Sequence, residues 1–137
     1  MDKRFQERDL IIFHKEIDWE NREYPIGVCQ RFDELRASDI QRLIDLGFMK
    51  EEDTMNSTPT IREFLQFAKT LEKLGYQFNF EGFTFDPRSA QNGVLLEGIY
   101  LNDPYSPEVE LAFLKFVTPF SPDELTIEPN QLRAWWD

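Results

Sequence analysis

The chain predicts an α+β fold, with helices packed on one face of a mainly antiparallel β-sheet and a single domain over residues 1–137. Three observations lead there. Capping residues open two helices and a glycine closes each. After Gly75 the apolar period changes from helical to alternating. A content of 41% hydrophobic and 15% aromatic residues, 13 of them phenylalanine, is enough for one core in 137 residues.

Each element follows in order. Leu10–Phe13 is a run of four apolar residues and predicts a strand continuing toward Trp19, within a first 35 residues that otherwise carry little pattern. Ser38-Asp39-Ile40-Gln41 has the form of a capping box, followed by Leu43 and Ile44 at helical spacing and by Gly47 as a left-handed stop. Thr60-Ile61-Arg62-Glu63 is a second capping box after Pro59. Ile61, Phe64, Leu65, Ala68, Leu71 and Leu74 form its apolar stripe, and Gly75 ends it. Glu51–Asp53 and Asn56–Thr58 between the helices read as a polar loop.

Tyr76, Phe78 and Phe80 then alternate with polar residues, and Phe83 and Phe85 resume after Gly82, where a bulge or turn is expected. Turn residues from Asp86 to Gly93 lead to a strand over Val94–Leu101, making a long-looped hairpin. Over 106–117 the apolar spacing suits helix or strand. Ser106 as cap and Pro107 at the first helical position decide for helix, which Pro119 and Pro122 stop. Leu125–Ile127 and Leu132–Trp136, around Glu128-Pro129-Asn130-Gln131, predict a closing hairpin. No repeat or low-complexity segment interrupts the domain.

Charge and cysteine bound the function. Twenty-six acidic residues against 15 basic give a formal net charge of −11. The excess is uneven: residues 1–73 hold 12 basic and 16 acidic groups, residues 74–137 only 3 and 10. Such a field disfavours direct nucleic-acid binding, which needs lysines and arginines to neutralise phosphates. It serves solubility, and it would also steer a basic protein partner. The lone Cys29 permits neither an internal disulfide nor a four-cysteine zinc site, so a reducing, cytoplasmic setting is expected. The charged opening Met1–Asp9 has no apolar h-region behind it, so no secretory leader is expected, and no apolar run approaches a membrane span.

Candidate chemistry is sparse. On a strand, His14, Glu16, Asp18 and Glu20 would share one face, a set that could hold a divalent metal or serve a carboxylate-based hydrolase. The same row describes a solvated edge strand, which is the plainer reading. His14-x-Glu16 echoes a zinc deaminase signature but lacks the two further cysteines. Gly93 and Gly98 have phosphate-loop spacing, yet Ile99 and Tyr100 stand where a lysine and a hydroxyl residue belong. Cys29 could meet His14 in space, although nothing local activates the thiol. The Tyr76–Phe85 aromatics could stack bases, but with Arg88 as the one nearby cation they read as core. Trp135 and Trp136 are adjacent, so one is expected in the core and the other half-exposed as an interface anchor.

Several stretches resemble small bacterial proteins of unknown function. They are Leu46-Gly47-Phe48, Ser57-Thr58-Pro59-Thr60, Glu97-Gly98-Ile99 and the terminal Leu132-Arg133-Ala134-Trp135-Trp136-Asp137. The resemblance implies a bacterial, single-domain protein and carries no activity. With no catalytic or cofactor-binding residue designated, the chain is expected to be a non-enzymatic interaction module of inhibitor or immunity type, docking a basic partner. A metal-dependent or carboxylate-based hydrolase using His14, Glu16 and Asp18 is the alternative, and a homodimer built on Trp135 or Trp136 is the second.

Overall fold

The computed structural model describes residues 2–22 and 25–137. Its elements are α1 (Lys3–Phe13), a 3-10 turn (Trp19–Asn21), β1 (Gln30–Leu35), α2 (Ala37–Asp45), α3 (Ile61–Lys73), β2 (Asn79–Thr84), β3 (Val94–Leu101), α4 (Pro107–Val117), a second 3-10 turn (Thr118–Phe120), β4 (Glu124–Glu128) and β5 (Gln131–Trp135). The five strands form one antiparallel sheet in the order β1-β2-β3-β5-β4. The α+β class and its antiparallel sheet are thus as expected. No helix among the described residues is long and apolar enough to cross a membrane.

Local chemistry explains where each helix starts. Thr60 accepts from the Glu63 amide at 3.1 Å while the Glu63 carboxylate accepts from the Thr60 amide at 3.0 Å, closing the expected box. Ser106 caps α4 by accepting from the Val109 amide, so the cap residues win over the strand-like spacing. Gly75 and Gly47 take the left-handed stops, at φ +91° and +85°. Helix α2 begins earlier than its sequence suggests. Arg36 is the cap, and the Asp39 carboxylate, not Gln41, reaches back to accept from the Arg36 amide at 3.0 Å. Ser38 therefore lies inside the first turn.

The predicted strand at Leu10–Phe13 is instead the end of α1. Asp2 caps that helix, and His14 closes it in the left-handed region at φ 61°. The core side of α1 carries Phe5, Arg8, Asp9, Ile11 and Ile12, which is helical spacing with two charged residues in it. Those two are buried as a pair. The Arg8 guanidinium lies 3.0 Å from the Asp9 carboxylate, which also accepts from the Trp19 indole at 2.7 Å. Arg8 donates to the Asn92 carbonyl at 2.9 Å and stacks near the rings of Phe5, Trp19 and Phe48. Burial pushes the Arg8 pKa down and the Asp9 pKa up, each opposed by the other's charge.

The core lies between the helices and one face of the sheet. Phe64 of α3 is its hub, edge-on to Phe80, Phe116 and Trp136 at 5.5, 5.9 and 5.9 Å. From the sheet side Leu35, Phe80, Ile99, Leu132 and Ala134 face it, all fully buried. Gly82 fits only without a side chain, since a Cβ there would stand 1.9 Å from the Leu95 carbonyl oxygen. The bulge expected at Gly82 lies on the strand opposite. Glu81 pairs with Gly98 and Gly82 with Leu96, so Glu97 is the extra residue. Alternation in β2 is therefore unbroken. Phe80 points to the core, and Phe83 points to the other face, where its ring meets Phe85 at 5.7 Å.

Candidate functional site

The helices leave the second face of the sheet uncovered, and side-chain parity decides what it shows. Glu81, Gly98, Trp135 and Glu124 stand side by side across β2, β3, β5 and β4. Arg31 of β1 stands beside Phe83 in a neighbouring row, and Arg133 beside Tyr100. Gly98 has no side chain, and the Glu81 side chain lies over it, where a Cβ would meet the Glu81 Cγ at 2.6 Å. Beside it is an open hollow of about 440 Å³ lined by Arg31, Glu81, Glu97, Glu124, Arg133 and Trp135.

Two ion-pair groups shape this hollow. Arg133 donates to Glu81 through Nη2 at 2.6 Å and Nε at 3.3 Å, and to Glu124 through Nη1 at 3.2 Å. The bulge turns the Glu97 carboxylate in among the strands, where it is buried and accepts from the Arg31 guanidinium. The Glu97 carbonyl meanwhile accepts from the Trp136 amide at 2.8 Å, which fixes the tail against β3. Hydrogen bonds donated to these carboxylates are the main reason both arginines hold their protons more firmly than usual. With Asp33 on the rim, four carboxylates face two guanidinium groups, a surplus of negative charge.

Tyr100 sits nearly buried beside this network, and its hydroxyl donates to the Asp33 carbonyl. Desolvation, helped by Asp33, Glu34 and Glu81, pushes its pKa up to about 12. It is a neutral donor at neutral pH.

The tryptophans divide as parity requires. Trp136 is fully buried, with its indole donating to the Phe120 carbonyl at 2.9 Å, and so offers no surface to a partner. Trp135 is half-buried on the open face.

The His14 row does not exist as a strand face. His14 caps α1, Glu16 and Asp18 follow in irregular chain, and Glu20 lies in the 3-10 turn. Asp18 accepts from the Asn21 amide group at 2.6 Å. His14 instead lines a polar cleft of about 370 Å³ with Glu34, Asp39 and Tyr100. Among the described residues, no three histidine, cysteine, aspartate or glutamate side chains are grouped as a metal ion would require. Cys29 precedes β1, whereas the cleft that His14 lines includes Glu34, near that strand's other end.

The charged residues of the open face were not picked out from the sequence. Their signal is present, however: Glu81 and Arg133 occupy the non-core parity of their strands with opposite charge. Comparison with family models, with curated proteins and with solved structures finds no match to this chain.

Proposed function

We propose that this protein is a non-enzymatic interaction module, of inhibitor or immunity type, that docks a basic protein partner on the open face of its sheet. One observation carries the reading: a half-buried Trp135 in a shallow hollow whose walls are oriented carboxylates. An aromatic anchor within a polar rim is the usual makeup of an interface hot spot. The Glu81–Arg133–Glu124 bonds hold acceptor oxygens in place before a partner arrives, which lowers the entropy lost on binding. A guanidinium or ammonium group of the partner would find both a π-face and carboxylates there. The net charge of −11 supplies long-range attraction and a fast, salt-sensitive encounter. A cytoplasmic setting accords with the free, half-buried Cys29 thiol.

The test is native mass spectrometry of the protein taken from its own cells at low salt, alongside Trp135→Ala. The expected result is a stoichiometric basic protein that dissociates as salt rises and is missing from the Trp135→Ala sample. A protein that emerges bare, or as a homodimer indifferent to Trp135→Ala, would overturn the reading.

A further inference from the structure

Among the described residues, strand β4 ends the sheet and pairs with β5 alone. Its register places the Glu128–Gln131 pair next to a two-residue turn, Pro129-Asn130. In an antiparallel hairpin, bonded and non-bonded pairs alternate away from the turn. Residues 128, 126 and 124 therefore aim their backbone groups at β5, and Leu125 and Ile127 aim theirs outward. The Trp136 amide bonding to Glu97 agrees, since it leaves the Trp135 backbone to face β4. The outer edge thus offers two N–H and two C=O groups in strand geometry.

The side chains along this edge restrict what can pair there. Glu124-Leu125-Thr126-Ile127-Glu128 alternates charged or polar with apolar, and Leu125 and Ile127 remain 42% and 39% exposed. An antiparallel second copy centred on Thr126 would set Glu124 opposite Glu128 twice, and like charges directly opposite repel. A strand carrying cations four residues apart, with apolar residues between, would pair with both glutamates and cover Leu125 and Ile127. The opposite edge is less suitable, because β1 is bulged between Phe32 and Leu35.

We infer that β4 accepts an extended basic segment of the partner as a sixth, antiparallel strand, with pattern cation–apolar–polar–apolar–cation. The inference rests on the reading of this protein as a docking module for a basic partner, and it adds backbone pairing to the open-face contact.

The probe is the peptide Lys-Val-Thr-Val-Lys with glycine-serine flanks, titrated to millimolar into the whole isotope-labelled protein at low salt and followed by amide NMR. The expected result is saturable shifts and slowed exchange at the Leu125 and Ile127 amides. Methylating the two valine nitrogens of the peptide should weaken binding by about tenfold or more. A Glu-Val-Thr-Val-Glu peptide should bind only after Glu124→Lys with Glu128→Lys. Shifts confined to the Trp135 indole and Glu81 would overturn strand pairing and leave the docking face standing. Indifference to peptide charge at every position would overturn both. Protection of Leu125 and Ile127 without peptide, at dimer mass, would overturn the inference in favour of a second copy.

Discussion

Tyr100 is the residue whose burial has the clearest chemical readout. Its phenol sits near pKa 12 in the folded protein against 10 for an ordinary tyrosine. The folded state keeps the proton between those values while the unfolded state releases it. Stability is therefore fully present below pH 10 and falls as pH rises through about 12, by about 2–3 kcal/mol in all. Tyr100→Phe removes the bond to the Asp33 carbonyl and should cost about 1 kcal/mol at neutral pH. At strongly alkaline pH it should become the more stable form. Urea unfolding of both proteins at the two pH values checks the reversal, and a Tyr100 that ionises together with the other tyrosines would sink it.

At the scale of elements, two glycines separate fold from site. Gly82→Ala pushes a methyl against backbone, the Leu95 carbonyl at 1.9 Å and the Phe32 ring at 2.8 Å, and neither can yield. It should cost about 4 kcal/mol or more, or prevent folding. Gly98→Ala meets only the flexible Glu81 side chain. It should cost about 1 kcal/mol and release Glu81 from Arg133, filling the hollow beside Trp135. Denaturant midpoints of the two variants test the contrast; equal losses would mean the open face is structural. The same elements show what was legible. Helix α3 could be read because its cap and periodicity agreed, α4 because its cap residues decided between two spacings, and β3 and the final hairpin because turn residues bound their apolar runs. Helix α1 could not, because the Arg8–Asp9 pair occupies core positions and disguises its stripe. Strand β1 stayed hidden because its bulge spaces Phe32 and Leu35 by three rather than two. Of the site, the division of labour between Trp135 and Trp136 followed from alternation. The Glu97 turn-in did not, since the bulge sits opposite the glycine that signals it.

For the whole molecule the governing quantity is the net charge of −11. Self-repulsion opposes the compact state, and the Debye length shrinks from about 30 Å at 0.01 M salt to about 8 Å at 0.15 M. The exposed pairs Arg62–Glu51 and Arg4–Asp2 offset little of it. Thermal midpoints should therefore rise over that salt range in the isolated protein, even as affinity for a basic partner falls. A midpoint that drops on adding salt would show that the ion pairs outweigh the repulsion.

The strand order also sets a timetable. Residues 131–135 enter between β3 and β4, so an interior place in the sheet is filled only after its other four strands have been made. Until then β3 has one bare edge and the Phe64 cluster lacks Trp136. Ribosome-bound chains that stop short of Gln131 would hold β1, β2 and β3 paired, β4 without β5, and helices that lack Leu132, Ala134 and Trp136 to pack on. Insertion of β5 then closes sheet and core together, so a stop codon before Gln131 would yield an open core rather than a trimmed protein.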